Sequence, residues 1–174
     1  MTSRWRVFLF GLLLALGLQS CGVNGLFSPP TATALPGRSQ ANPVQVGSEV
    51  AADGMRFMLT GAIRPADDLV LAGDMFNQQA GQYKHYVFAS LDVTCEKPEP
   101  CRLDVFKFKL LGSDDVVHYP EAYLVGVDGL LISTDFQNGS SLVGNLAYIV
   151  NIGTSHLVLM YGAVSGEKIY LALP

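Results

Sequence analysis

The stretch Tyr83–Cys95 limits the possible folds more than any other, because apolar and polar side chains alternate along its whole length. Val87, Ala89, Leu91 and Val93 fall on one side of an extended chain. Tyr86, Ser90, Asp92 and Thr94 fall on the other, with Phe88 among them. Successive strand side chains point to opposite faces, so this period specifies a strand with one face on a core. No stretch beyond residue 20 sustains a helical period over three turns. A core made from such segments has to lie between facing sheets.

The remaining segments fit that requirement. Val44 and Val46 alternate with Gln45, and Asp53-Gly54 is a two-residue turn signal ahead of Met55, Phe57 and Leu59, which share one face. Leu103–Leu111 reads as a strand with Phe106, Phe108 and Leu110 inward and Lys107 and Lys109 outward. Val116–Tyr119, Leu142–Asn151, His156–Tyr161 and Lys168–Leu173 complete the set. Arg64–Gly81 has no clear period and reads as a long loop with a short helical turn around Leu69–Met75. Loops of that length often carry contacts. Glu121–Ser141 is loop-like, with turn signals at Asp128-Gly129 and Asn138-Gly139 and Leu130–Ile132 pinned to the core. The expectation is an all-β antiparallel sandwich of about seven or eight strands over residues 43–174.

The N-terminus carries different information. Arg4 and Arg6 precede the apolar run Val7–Leu18, which is short against the about 20 residues of a membrane span and suits a signal segment over residues 1–20. It ends in Leu18-Gln19-Ser20-Cys21, which resembles the lipobox of bacterial lipoproteins. That resemblance implies a lipid on the Cys21 sulfur and removal of the preceding peptide. It also implies a bacterial, extracytoplasmic, membrane-anchored protein. Gly22 is not the aspartate that retains many lipoproteins at the inner membrane. The outer membrane is therefore the implied home in a cell with two membranes, and the outer face of the plasma membrane otherwise. Gly22–Asn42, rich in Gly, Pro, Ser, Thr and Ala, reads with Cys21 as a flexible tether over residues 21–42.

Without Arg4 and Arg6, nine basic residues face fifteen acidic ones, a net charge of −6. An acidic domain with no Lys/Arg cluster interleaved with aromatics is a poor nucleic-acid binder. With Cys21 lipidated, Cys95 and Cys101 remain as a natural disulfide pair in an oxidising compartment. They clip a charged tip carrying Glu96, Lys97 and Glu99, one possible partner contact.

The order of these pieces also resembles the telokin-like, immunoglobulin-like domain of secreted bacterial lipoproteins. The carrying residues are Val46-Gly47, Asp53-Gly54 and the strand Tyr83–Val93, then Phe106-Lys107-Phe108-Lys109-Leu110 before an Asp-rich turn and Tyr119. Asn138-Gly139 and Gly144 follow, ahead of Leu146–Val150. The departure is the cysteine pair, where many relatives have Asn and polar residues. The resemblance implies a binding or structural module and supplies no catalytic residues.

Catalytic and metal readings are weighed on the residues themselves. Ser155-His156 suggests a nucleophilic dyad, but neighbours on an extended chain point apart and no Gly-x-Ser-x-Gly elbow exists. His85 and His118 lie in strands. Asp67, Asp68, Asp74, Asp114 and Asp115 have the oxygens for calcium, yet their spacing matches no EF-hand, and aspartates in turns cap backbone amides. The reading is therefore a lipid-anchored, non-enzymatic binding or structural module with no cofactor and a protein or small-ligand partner. The alternatives are a ligand-sensing or accessory subunit of an envelope complex and, from another class, a small hydrolase using His118 or His156.

Overall fold

The computed structural model describes residues 35–174; the signal segment and Cys21 lie outside the described residues. Among the described residues ten strands follow one another. They are β1 (Glu49–Ala52), β2 (Met55–Ile63), β3 (Lys84–Cys95), β4 (Cys101–Leu103), β5 (Phe108–Leu111), β6 (Val117–His118), β7 (Thr134–Phe136), β8 (Ser141–Asn151), β9 (Val158–Gly162) and β10 (Lys168–Ala172). One helix, α1 (Asp67–Gly73), interrupts them. Two four-stranded antiparallel sheets, ordered β1-β2-β3-β8 and β10-β9-β5-β6, form the sandwich, and β4-β7 make a small ribbon beside it. The eight sandwich strands match the expected number; the ribbon is additional.

The alternation in β3 is realised as read. Val87, Ala89, Leu91 and Val93 are fully buried in the central core, together with Phe57 and Leu59 of β2. The opposite sheet contributes Phe108, Leu110, Leu159, Tyr161, Ile169 and Leu171. Phe57, Phe108 and Tyr161 meet at the middle with ring centroids 4.7–6.0 Å apart. Such contacts add about 0.5–1.5 kcal/mol per pair beyond area burial. The β1–β2 turn is the one its sequence specifies. Asp53 and Gly54 both have left-handed φ, +54° and +72°, as a two-residue hairpin loop requires.

Two expectations are corrected. Leu103–Leu111 is not one strand: Asp104 accepts a hydrogen bond from Phe106 N at 3.1 Å and nucleates a 3₁₀ turn over Val105–Lys107. That turn carries the chain from the ribbon to the second sheet and shifts the phase, so Val105 is buried and Phe106 is 53% exposed. In addition, Leu35–Asn42, read as tether, is folded onto β10. Gly37 N donates to Asn42 O, Tyr170 N donates to Gly37 O, and Arg38 pairs with Glu167. Val44 continues along the same strand in a parallel bridge to Leu171. The backbone groups of an edge strand need partners, and this segment supplies them.

A second, smaller core lies on the outer face of the first sheet. Tyr86, Phe88 and Ala147 point away from the sandwich interior and are buried under Ala66, Val70 and Ala80, with Leu124, Val127 and Leu130 packed alongside. The loops around α1 and over residues 121–130 therefore fold down onto β3 and β8.

Candidate interaction surface

Cys95 and Cys101 are joined in a disulfide, their Cα atoms 5.7 Å apart. The tip they clip is folded back onto the β1–β2 turn. Glu96 N donates to Gly54 O at 2.9 Å, Arg56 Nε reaches Glu96 Oε1 at 3.0 Å, and the Lys97 stem covers Gly54. Of the three tip charges Glu96 is thus paired within the fold and Lys97 packs its stem there, while Glu99 is exposed.

Of the calcium-type aspartates, Asp67 Oδ2 accepts from Tyr86 N and Asp74 Oδ1 from Phe76 N. Among the described residues no three His, Cys, Asp or Glu side chains gather as a metal site would need. Asp114 is a structural hub. Its Oδ2 accepts from Asn151 Nδ2 at 2.9 Å and Thr154 Oγ1 at 3.0 Å, and its Oδ1 accepts from Val116 N. His118 Nε2 lies 3.3 Å from Oδ2, close enough to pair by charge but off the line of a hydrogen bond. Burial pushes the Asp114 carboxyl up; the three hydrogen bonds and His118 outweigh it and leave the group below its ordinary value.

Ser155 and His156 correct the expectation that they point apart. His156 adopts φ +51°, which turns its ring back so that Ser155 Oγ lies 3.0 Å from Nδ1, with Ser113 Oγ at 3.2 Å from Ser155 Oγ. His156 is exposed, and among the described residues no carboxylate pairs with it. The base thus lacks the third group that orients it in triad chemistry.

The feature that sequence reasoning missed is how the two long loops are joined. Asn77 Nδ2 donates to Val70 O at 2.8 Å and Val125 O at 2.7 Å, and Val125 N donates back to Asn77 Oδ1 at 2.9 Å. One side chain ties α1 to the 121–130 loop. Below it two glycines make backbone contact, for a Cβ at Gly126 (φ +64°) would fall on the Gly73 carbonyl oxygen. The pairing of a residue in one loop with a carbonyl in another leaves no local signature; the glycines were its only trace.

Next to this clasp the surface is apolar. Met75, Phe76 and Tyr123 are 88%, 79% and 87% exposed, and Val125 and Leu69 are about half exposed. Between α1 and the Val125–Gly129 loop lies a cleft of roughly 290 Å³ with buried Phe88 at its base. The loops stand at the far end of the first sheet from the Asp53 turn. The described chain enters beside that turn, where Arg38 reaches Ala51 O and Glu167. Asn77→Ala is expected to remove about 2–3 kcal/mol of local stability, three bonds at roughly 1 kcal/mol each. Amide exchange should accelerate over residues 67–77 and 123–127 with little change in the sandwich strands. Unaltered exchange in both loops would show that the clasp does not hold them.

No protein-family model matches the chain, and no curated sequence does. Solved structures do. It superposes on the yjhA protein of Bacillus subtilis with a TM-score of 0.53 and 12% identity, over 75% of this chain and 99% of that one. It superposes on ycdA of the same organism, described as a "putative lipoprotein", with a TM-score of 0.54 and 14% identity, covering 72% of this chain and 38% of that one. A secreted protein of Mycobacterium tuberculosis gives a TM-score of 0.50 and 12% identity over 76% and 98% of the two chains. At these identities the likeness is one of fold: this chain is built as an antiparallel β-sandwich of the kind those proteins share.

Proposed function

We propose that this chain is a lipid-anchored, non-enzymatic binding module at the outside of a bacterial cell, with a telokin-like, immunoglobulin-like sandwich held by Cys21. The observation that carries the reading is the joined pair of loops. They present exposed Met75, Phe76, Tyr123 and Val125 beside a cleft, at the end of the sandwich away from where the chain enters. Exposed apolar side chains gathered on one rim mark contact surfaces more often than chance. The Cys95–Cys101 disulfide supports an oxidising compartment, and structural likeness to a putative lipoprotein and a secreted protein agrees with it. The exposed Ser155–His156 pair, without an orienting carboxylate, supports binding over hydrolysis. Tethering confines the module to a surface, so a weak interface suffices at high effective concentration.

Cys21→Ala is expected to move the protein from the membrane to the soluble fraction, since a peptide without its acyl chains loses stable anchoring. Retention of this variant in washed membranes would refute the lipid anchor. In-cell crosslinking from a photoreactive residue at Phe76 tests the binding end: a single captured envelope protein is the expected product.

A further inference from the structure

We propose that the cleft between α1 and the Val125–Gly129 loop is a docking site for an apolar side chain carried on a basic segment of a partner polypeptide, an inference that rests on the binding-module reading above. The walls are Ile63, Leu69 and Val127 and the base is Phe88, so the site favours an apolar group. Its roughly 290 Å³ falls just under the about 300–1,000 Å³ usual for small-molecule sites. It matches an interface anchor, where one side chain fills a pocket and carries much of the binding energy. The depth of the cleft is set by backbone: Gly73 and Gly126 touch, and any larger residue at either would push α1 off the loop.

Charge selects the flanks of the partner. Asp128 is the one charged residue lining the cleft. Asp67, Asp68, Asp74 and Glu121 stand on the same two loops, against Arg64 and Lys84. The surrounding negative charge is already felt within the fold, where Tyr86 has its hydroxyl pushed up by burial first and then by Glu121 and Asp67. A surface of this sign repels anionic lipid headgroups and nucleic acid and steers cationic segments toward it. By contrast, the cations near the chain entry are occupied by acids: Arg38 by Glu167, Arg56 by Glu49 and Glu96, and Arg102 by Asp135. The two loops around the cleft thus carry five acids against two bases, a local excess of three negative charges.

The test uses the full chain solubilised in detergent and a short fluorescein-labelled peptide with a central leucine flanked by lysines. Two control peptides replace the leucine with serine or the lysines with glutamate. The leucine–lysine peptide is expected to bind at least about tenfold tighter than either control, a difference of about 1.4 kcal/mol. Its affinity should fall as salt is raised. Leu69→Lys, at an exposed position, should weaken it about tenfold without lowering the melting temperature, and Asp128→Asn should reduce the preference for lysine flanks. Equal binding of the three peptides, indifference to Leu69→Lys, or a preference for anionic phospholipid vesicles overturns the proposal. Capture of a partner from Phe76 in cells together with failure of the leucine–lysine peptide overturns the cleft assignment and leaves the binding module standing. Failure of both overturns both.

Discussion

Asp53→Ala is expected to destabilise the domain by about 3–5 kcal/mol. The side chain sits in a hairpin turn, yet its Oδ2 accepts hydrogen bonds from the Tyr161 hydroxyl at 3.0 Å and from Val164 N at 2.7 Å, with Lys107 Nζ 3.9 Å away. Bonds to a charged acceptor contribute about 1.5–3 kcal/mol, and an orphaned buried hydroxyl costs about 1–3 kcal/mol. Tyr161 is fully buried, so no solvent replaces the lost acceptor. Alanine also tolerates the left-handed φ of +54° less well than aspartate. Asp53→Asn keeps the turn conformation and one acceptor oxygen, and should cost only about 1–2 kcal/mol. In a double-mutant cycle, much of the alanine penalty should vanish in a Tyr161→Phe background, because the orphaned hydroxyl is then absent. Urea unfolding of the four proteins measures this; additive losses would mean that Asp53 acts independently of the Tyr161 hydroxyl.

The second large effect is alkaline. Tyr148 and Tyr161 are both fully buried in the central core. Burial is the cause at Tyr148, and burial first, then the Asp53 hydrogen bond and charge, at Tyr161; both phenols are raised well above their ordinary value of 10.0. The ionised form is thus disfavoured in the folded chain and ordinary in the unfolded one. Above pH of about 10 the unfolded state binds fewer protons, and stability falls with rising pH. Each such group costs up to about 1.4 kcal/mol per pH unit, so two of them cost at most about 5–6 kcal/mol by a pH of about 12. Against a total of about 7–21 kcal/mol, from roughly 0.05–0.15 kcal/mol per residue, that removes most of a stability at the low end, so unfolding is expected at or above that pH. The share of tyrosinate absorbance that belongs to Tyr148 and Tyr161 should appear in one cooperative step coincident with loss of the β-sheet circular dichroism, separate from that of exposed tyrosines such as Tyr123. Tyr148→Phe should move that step to higher pH, and it removes a hydroxyl that has no hydrogen-bond partner among the described residues. Ionisation of Tyr148 or Tyr161 with the fold intact, read as the absorbance that each Tyr→Phe variant loses before the circular dichroism changes, would contradict the picture.

Much of the sandwich was legible in the chain because its rules are local. Period-two alternation places Val87–Val93 against a core whichever strand faces it, and Asp53-Gly54 specifies a tight hairpin through the φ values its two residues tolerate. The cysteine pair could be read for the same reason, being six residues apart on either side of a proline-stiffened tip. The misreadings also have local causes. Phe106 continued an alternating pattern, but the Asp104 cap wound one 3₁₀ turn and moved it to solvent. Ser155 and His156 obeyed the rule for extended neighbours only until His156 took a left-handed φ. Leu35–Asn42 has the composition of a tether, yet the unpaired edge of β10 gives it hydrogen bonds that composition does not report.

The interaction end belongs wholly to the tertiary structure. Asn77 and Val125 are 48 residues apart, as nearly are Gly73 and Gly126, and each pair means something only once β3 and β8 bring the loops together. Tyr86 and Phe88 look like solvent-facing members of an alternating strand and turn out to floor a second core. Facing and turning are encoded by neighbours along the chain, since sterics act over one or two residues. Which loop meets which, and where an apolar cleft opens, depends on contacts between distant segments that form only after the sheets have paired.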